Sequence, residues 1–164
     1  MRALFVGLIF SSIHANAQII EFKEDKSCVP ETDNCFSTLK IKSANKTVQV
    51  DSLNGPFFLS RENDQVFGCG GDTFSQAMYA TLTDQNGVTI KYSHIGPIID
   101  CGISDKGRLY WFVYERKWNS DFEPTIYIID NNAKLLHEQK VNLSEKYWIV
   151  VGEDSISINT PKYY

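Results

Sequence analysis

The chain has 164 residues, of which 43% are hydrophobic, 13% aromatic and 22% charged, and its formal net charge is -4. This hydrophobic content is sufficient for a packed core and argues against a disordered tail, while the length favours one domain over two. The mild acidity gives no support to nucleic acid or an anionic membrane surface as a partner.

The N-terminal segment has the pattern of a cleavable export signal. Arg2 supplies a positive charge, residues 3–10 form an apolar run too short to span a bilayer, and Ala15-Asn16-Ala17 fits a small-x-small cleavage site. We therefore expect residues 1–17 to be removed, so that a single domain over residues 18–164 begins at Gln18. The short signal and its Ala-x-Ala ending are typical of bacteria and predict a periplasmic protein without membrane insertion after cleavage.

All four cysteines, Cys28, Cys35, Cys69 and Cys101, lie in the expected mature chain. An even number of cysteines in an exported protein predicts two disulfide bonds, for which three pairings are possible. We favour Cys28 with Cys35, across the turn-rich residues 29–34, and Cys69 with Cys101. The spacings contain no C-x2-C pair, so the sequence favours no zinc site, and we expect neither a metal nor another cofactor.

Beyond Cys35 the sequence is a succession of short β-type runs separated by polar turns. The clearest hairpin joins the alternating runs 77–83 and 88–92 through Asp84-Gln85-Asn86-Gly87, because an Asn-Gly step between such runs is a strong hairpin signal. Five further turns fit the same pattern, at residues 43–46, 62–64, 104–107, 130–133 and 152–154. Together they predict six hairpins, about twelve short strands and no helix.

Repeated hairpins of this kind predict an all-β fold of the sandwich, barrel or propeller type. Twelve strands divide into about three four-stranded blades, which favours a propeller-like arrangement, with a distorted barrel or sandwich as the alternative. Every residue from Leu109 to Tyr114 is aliphatic or aromatic, as expected for a strand that is covered on both faces.

A catalytic set is harder to assemble from this sequence. The best candidate is Cys69 with His94 and Asp100, since a Cys–His pair performs nucleophilic catalysis in papain-like cell-wall amidases. Those enzymes place the cysteine at the start of a helix, which the sequence does not predict here, and Cys101 offers Cys69 an oxidative partner. We therefore expect a protein that is not an enzyme, with a Cys-dependent hydrolase as the least favoured alternative.

Two surface segments are candidates for binding a partner. In the loop 115–124, Arg116, Trp118 and Phe122 are residue types enriched at protein interfaces, although Trp118 is equally compatible with a lid over the core. The second candidate is the tight turn Ser104-Asp105-Lys106-Gly107, just beyond Cys101. A turn held rigid by a disulfide loses little entropy on binding, which suits a plug for another protein's cleft.

The plan of the chain resembles the periplasmic immunity proteins that neutralise type VI secretion effectors, in particular those directed against cell-wall amidases. The resemblance rests on the cleavable residues 1–17, the four cysteines and the propeller-like hairpins at 84–87 and 104–107. The resemblance implies that the partner is a protein, namely a cell-wall hydrolase effector. It also implies inhibition by a loop that enters the amidase cleft and covers its Cys–His pair. An alternative is a carbohydrate- or surface-binding module using Trp111, Trp118 or Trp148, although core packing is the default for aromatic residues inside strands.

Overall fold

The computed structural model describes residues 18–28, 35–53, 55–70, 77–95, 98–114, 124–141, 143 and 147–159. These residues form antiparallel strands and contain no helix, so none of the described segments is a helix that could cross a membrane. The strands are β1 (Ile19–Cys28), β2 (Cys35–Ser43), β3 (Thr47–Leu53), β4 (Phe57–Ser60), β5 (Gln65–Gly70), β6 (Ala77–Asp84), β7 (Thr89–Ile95), β8 (Ile98–Ile103), β9 (Tyr110–Tyr114), β10 (Thr125–Ile129), β11 (Leu135–Lys140), β12 (Trp148–Val151) and β13 (Ile156–Asn159).

The all-β class and the repeated antiparallel hairpins are confirmed. Each of the six predicted turns joins two paired strands, from β2–β3 through to β12–β13. Gly87 and Gly107 adopt φ values of 79° and 70° in their turns, a left-handed conformation that glycine accepts without steric cost. In the β10–β11 turn the corresponding φ of 59° is adopted by Ala133.

The strands are distributed unequally over four sheets. The first sheet has three strands (β1–β3), the second four (β4–β7), the third four (β8–β11) and the fourth two (β12–β13). The prediction of equal four-stranded blades therefore fits the second and third sheets only. Strand β1 was not predicted, because its charged sequence lacks apolar alternation and only Ile19 is buried. It forms by pairing with β2, with Phe22 opposite Ile41.

The four sheets pack face to face in chain order around three apolar clusters. Leu39 and Ile41 of the first sheet pack with Val66 of the second sheet. Phe67 of the second sheet faces the other way and packs with Phe112 and other aromatic residues of the third. The opposite face of β9 packs against the fourth sheet through Trp111 and Val113. Strand β9 is consequently buried at every position, as its two-sided apolar sequence predicts.

The two outer faces of this stack differ in chemistry. The outer face of the first sheet carries charged side chains, and Lys23 and Lys40 contact Asp25 at 2.6 and 2.8 Å. Hydrogen bonds from these two lysines lower the pKa of Asp25 to about 2. On the fourth sheet, Trp148 and Val150 alternate with residues that pack inward, and they are 50% and 46% exposed. The stack therefore begins with a charged face and ends with an uncharged one, on which Trp148 and Val150 pair with Asn159 and Ser157.

Candidate functional site

The six hairpin turns lie at one end of the stack, which we call the hairpin end. In an antiparallel meander, alternate connections fall at opposite ends of the strands, so all turns of this kind share one end. Contacts between sheets confirm the grouping: Lys46 donates to Asn86 at 2.6 Å, and the Gln65 side chain donates to the Asn131 carbonyl at 3.1 Å. The hairpin end is consequently one continuous surface assembled from all four sheets.

The β8–β9 turn on this surface has a fixed internal structure. Ser104 is buried, and its hydroxyl accepts hydrogen bonds from the backbone N–H groups of Arg108 and Leu109 at 3.2 and 3.0 Å. The Gly107 N–H donates to the Ser104 carbonyl at 2.8 Å and closes the turn. Ser104 therefore shapes the turn, which leaves Asp105 and Lys106 as the exposed members of the predicted contact set.

Neighbouring turns hold the β8–β9 turn from both sides. From the second sheet, the Ser60 hydroxyl donates to the Gly107 carbonyl, and the Asn63 side chain donates to the Arg108 carbonyl at 2.9 Å. On the other side, the Asp105 N–H donates to the Val151 carbonyl of the fourth sheet at 2.9 Å. These bonds fix the position of the turn tip more directly than the disulfide that the sequence suggested for this role.

The second predicted contact set, Arg116, Trp118 and Phe122, lies outside the described residues. The residues on either side of this segment, Tyr114 and Thr125, are paired with each other. That pair lies at the end of the third sheet opposite to the β8–β9 turn. The described strands that flank the two candidate segments therefore connect to them at opposite ends of the third sheet.

The disulfide between Cys69 and Cys101 is confirmed, and it joins β5 of the second sheet to β8 of the third. Cys69 is fully buried, so in this oxidised state it offers no thiolate for the Cys69–His94–Asp100 set. Burial raises the pKa of the Asp100 carboxyl, an effect opposed by a 2.8 Å hydrogen bond from the Cys101 N–H. The side chain of His94 lies outside the described part of the structure.

The N-terminal disulfide was predicted between Cys28 and Cys35. Cys28 is a disulfide-bonded cysteine, and it stands directly opposite Cys35 in the register of β1 and β2. The side chain of Cys35 lies outside the described residues, so the pairing itself remains a prediction. The register brings the two backbones together as that pairing requires.

Asp84 and Asp130 each use their carboxylate within their own turn. One oxygen of Asp84 accepts hydrogen bonds from the N–H groups of Asn86 and Val88 at 2.7 and 3.0 Å. Asp130 makes the same two bonds in the β10–β11 turn, at 2.8 and 2.9 Å. Both carboxylates therefore cap their own turns, and the described residues contain no cluster of three His, Cys, Asp or Glu side chains suited to a metal.

The hairpin end also contains a polar pocket of about 550 Å³ that sequence reasoning missed. It is lined by Gln18, Arg61, Asn63, Asp64, Gln65, Asp84 and Gln85. These residues come from three separate segments, so no local motif could have revealed the pocket. The side-chain oxygen of Gln85 is buried there and has no hydrogen-bond partner among the described residues.

No protein-family model matches the chain, and no curated protein matches it. Two solved structures share its fold. The β-propeller domain of the Trilobed protease from Pyrococcus furiosus, reported to have an open velcro topology, has a TM-score of 0.61 and 12% identity. The acylaminoacyl peptidase of Pyrococcus horikoshii has a TM-score of 0.63 and 12% identity.

Each similarity covers 87% of this chain, but only 46% of the first structure's chain and 26% of the second's. The chain thus spans less than half the length of either protein. At this identity the likeness shows the fold alone. The fold is an all-β, propeller-like stack of antiparallel sheets, as the sequence predicts.

Proposed function

We propose that this protein is an exported binding protein that inhibits a partner enzyme by inserting its β8–β9 turn into the partner's cleft. In its finer form, the proposal is a periplasmic immunity protein that blocks a cell-wall amidase effector. The observation that carries the proposal is the exposed tip Asp105-Lys106, supported by hydrogen bonds from the second and fourth sheets. A turn that is already fixed loses little conformational entropy when it binds.

This mode of inhibition needs no chemistry from the inhibitor. The turn would occupy the cleft and exclude the substrate peptide, while the flanking turns of the hairpin end would contact the rim. Lys106 supplies a positive charge at the tip, and the acidic chain as a whole suits a basic partner because complementary charge raises association rates. The confirmed disulfide supports an oxidising compartment such as the periplasm.

We expect Lys106→Glu to weaken partner binding at least tenfold, corresponding to about 1.4 kcal/mol, without lowering the melting temperature. Lys106 is exposed at the turn tip, so the reversed charge acts on the interface and not on the core. The measurement is the affinity for the product of the neighbouring gene, together with survival of cells that express that product in the periplasm.

The matched control for Lys106→Glu is Lys134→Glu in the β10–β11 turn. Lys134 is also exposed at the hairpin end, and its substitution changes the net charge by the same amount. Equal effects of the two variants would indicate a general charge effect and refute docking through the β8–β9 turn. A neighbouring gene product that is harmless to cells lacking this protein would refute the immunity proposal.

A surface-binding module remains the second candidate, because one tryptophan departs from the expected core role. Trp111 is buried between the third and fourth sheets, whereas Trp148 is 50% exposed beside Val150. Apolar side chains that are exposed side by side offer a surface on which a ligand can pack. Under this candidate, soluble peptidoglycan fragments change the protein's tryptophan fluorescence, and Trp148→Ala abolishes the change. The control is Val88→Ala, since Val88 is an exposed apolar residue in the connection between β6 and β7. Absence of binding by the unaltered protein would eliminate the candidate.

A further inference from the structure

The beginning of β1 is attached to the polar pocket of the hairpin end by three hydrogen bonds. The Ile19 N–H donates to the Asp64 carboxylate at 2.6 Å. The Arg61 guanidinium donates to the Ile19 carbonyl at 2.6 Å and to the Ile20 carbonyl at 3.3 Å. Gln18, the residue before these contacts, is itself part of the pocket wall. The first residues of the expected mature chain are therefore held at a defined position.

The pocket retains acceptor atoms that these bonds do not use. One Asp64 oxygen is occupied by the Ile19 N–H, and one Asp84 oxygen caps the β6–β7 turn. The second oxygen of Asp84 has only a 3.5 Å contact with the Asn86 side-chain amide, and the buried oxygen of Gln85, another residue of the pocket wall, has no hydrogen-bond partner among the described residues. A pocket wall with two carboxylates and an unpaired amide oxygen suits a primary ammonium group, which has three N–H donors and no acceptor.

We propose that this pocket binds the α-ammonium group of Gln18, which export creates. Water adds across the Ala17–Gln18 peptide bond, Ala17 leaves with a new carboxylate, and the Gln18 amine takes up a proton. The inference rests on the export step of the proposed function and is independent of any partner. Before cleavage this nitrogen is an amide with one N–H and no charge; afterwards it is a cation beside two carboxylates, so processing adds an interaction that the precursor lacks.

The same site protects the terminus chemically. An N-terminal glutamine can cyclise when its unprotonated amine attacks its own side-chain carboxamide, which expels ammonia and leaves a neutral lactam. An amine held in the protonated form by Asp64 and Asp84 lacks the lone pair that this attack needs. The proposal therefore predicts that the exported protein keeps an open N-terminal glutamine.

The electrostatic environment determines the direction of the pH dependence. The charged groups that line the pocket together with Gln18 are Asp64 and Arg61 from the β4–β5 turn and Asp84 from the β6–β7 turn. The two carboxylates outnumber the one guanidinium, which already binds the Ile19 and Ile20 carbonyls. The net negative charge of the pocket favours the ammonium form of the amine. The pKa of the amine in the folded protein is then raised above its ordinary value of about 7.7–8.0. The charged amine therefore stabilises the folded protein fully at pH values below the ordinary amine pKa. This stabilisation is lost as the pH rises through the raised pKa.

The test compares purified protein that begins at Gln18 with protein that carries one additional alanine before it. The extension keeps a positive charge but moves it one residue away from the pocket. We expect the Gln18 form to melt about 2–4 °C higher at pH 6.5, and the difference to vanish at a pH above the raised amine pKa. Equal melting temperatures at both pH values would overturn the proposal.

Asp84→Asn isolates the charge, because the asparagine oxygen can still accept the turn N–H bonds. In that variant we expect the advantage of the Gln18 form to shrink by at least half. Asp130→Asn is the matched control, since Asp130 makes the same turn bonds outside the pocket and should leave the advantage intact. Equal effects of the two substitutions would refute the assigned site.

Mass spectrometry of the protein recovered from the periplasm gives an independent result. An intact N-terminal glutamine supports the proposal, whereas a terminus that has lost ammonia, or a start at another residue, overturns it. Failure of the inhibitory function would leave these melting and mass results unchanged. The two proposals can therefore fail separately.

Discussion

Phe112→Ala is expected to reduce the free energy of unfolding by about 3–5 kcal/mol. Phe112 is fully buried in β9, and its ring stacks on Tyr127 with the centroids 5.4 Å apart. On the other side its centroid lies 5.5 Å from that of Tyr92 in the second sheet. Truncation removes these contacts and leaves a cavity between two sheets that cannot fully collapse. Urea denaturation followed by fluorescence measures the change.

Leu136→Ala provides the comparison for this prediction. Leu136 lies in β11, an edge strand of the third sheet, and is 50% exposed. Its truncation should alter the free energy of unfolding by less than about 0.5 kcal/mol. If Phe112→Ala cost no more than Leu136→Ala, the aromatic cluster between the second and third sheets could not be the main core of the domain.

Removing the Cys69–Cys101 disulfide is expected to have an effect of similar size. The bond spans a sequence separation of 32 residues, so the loop-closure entropy of the unfolded chain predicts a loss of about 3–4 kcal/mol. It also links the second sheet to the third, between which the described residues make apolar contacts and side-chain hydrogen bonds. Cys69→Ala with Cys101→Ala removes the link, and thermal unfolding measures the result.

Two comparisons make the disulfide prediction specific. Reduction of the unaltered protein should lower its melting temperature at least as far as the double substitution does. Replacing Cys28 and Cys35 should cost less, because the predicted bond between them closes a much shorter segment. A melting temperature that does not respond to reductant would contradict the stabilising role of both bonds.

The hairpins could be predicted from the sequence because their chemistry is local. In the β6–β7 turn, Asp84 accepts hydrogen bonds from residues two and four positions later, and Gly87 provides the left-handed backbone. The strands that follow such turns also carry an alternating apolar pattern. Strand β1 has neither signal: its charged residues are stable in a strand because β2 supplies hydrogen bonds and the first sheet leaves that face in solvent.

The candidate site was only partly predictable, because its geometry depends on distant residues. The sequence singled out the turn tip Asp105-Lys106, but the bonds that support it come from Ser60 and Asn63, more than forty positions earlier. The burial of Ser104 likewise results from the packing of neighbouring turns. The pocket at Gln18 joins three segments that share no sequence pattern, so only the stacking of sheets reveals it.

The two outer faces of the stack differ in how readily another sheet could cover them. Covering the first sheet with another sheet would strip water from Lys23, Asp25 and Lys40, and burying such charges carries a large desolvation penalty. Covering the fourth sheet would instead remove Trp148 and Val150 from water, which is favourable. In solenoid-like architectures a polar outer face terminates the array. An additional sheet would therefore pack against the fourth sheet more readily than against the first, whose exposed lysines and carboxylates would have to be replaced.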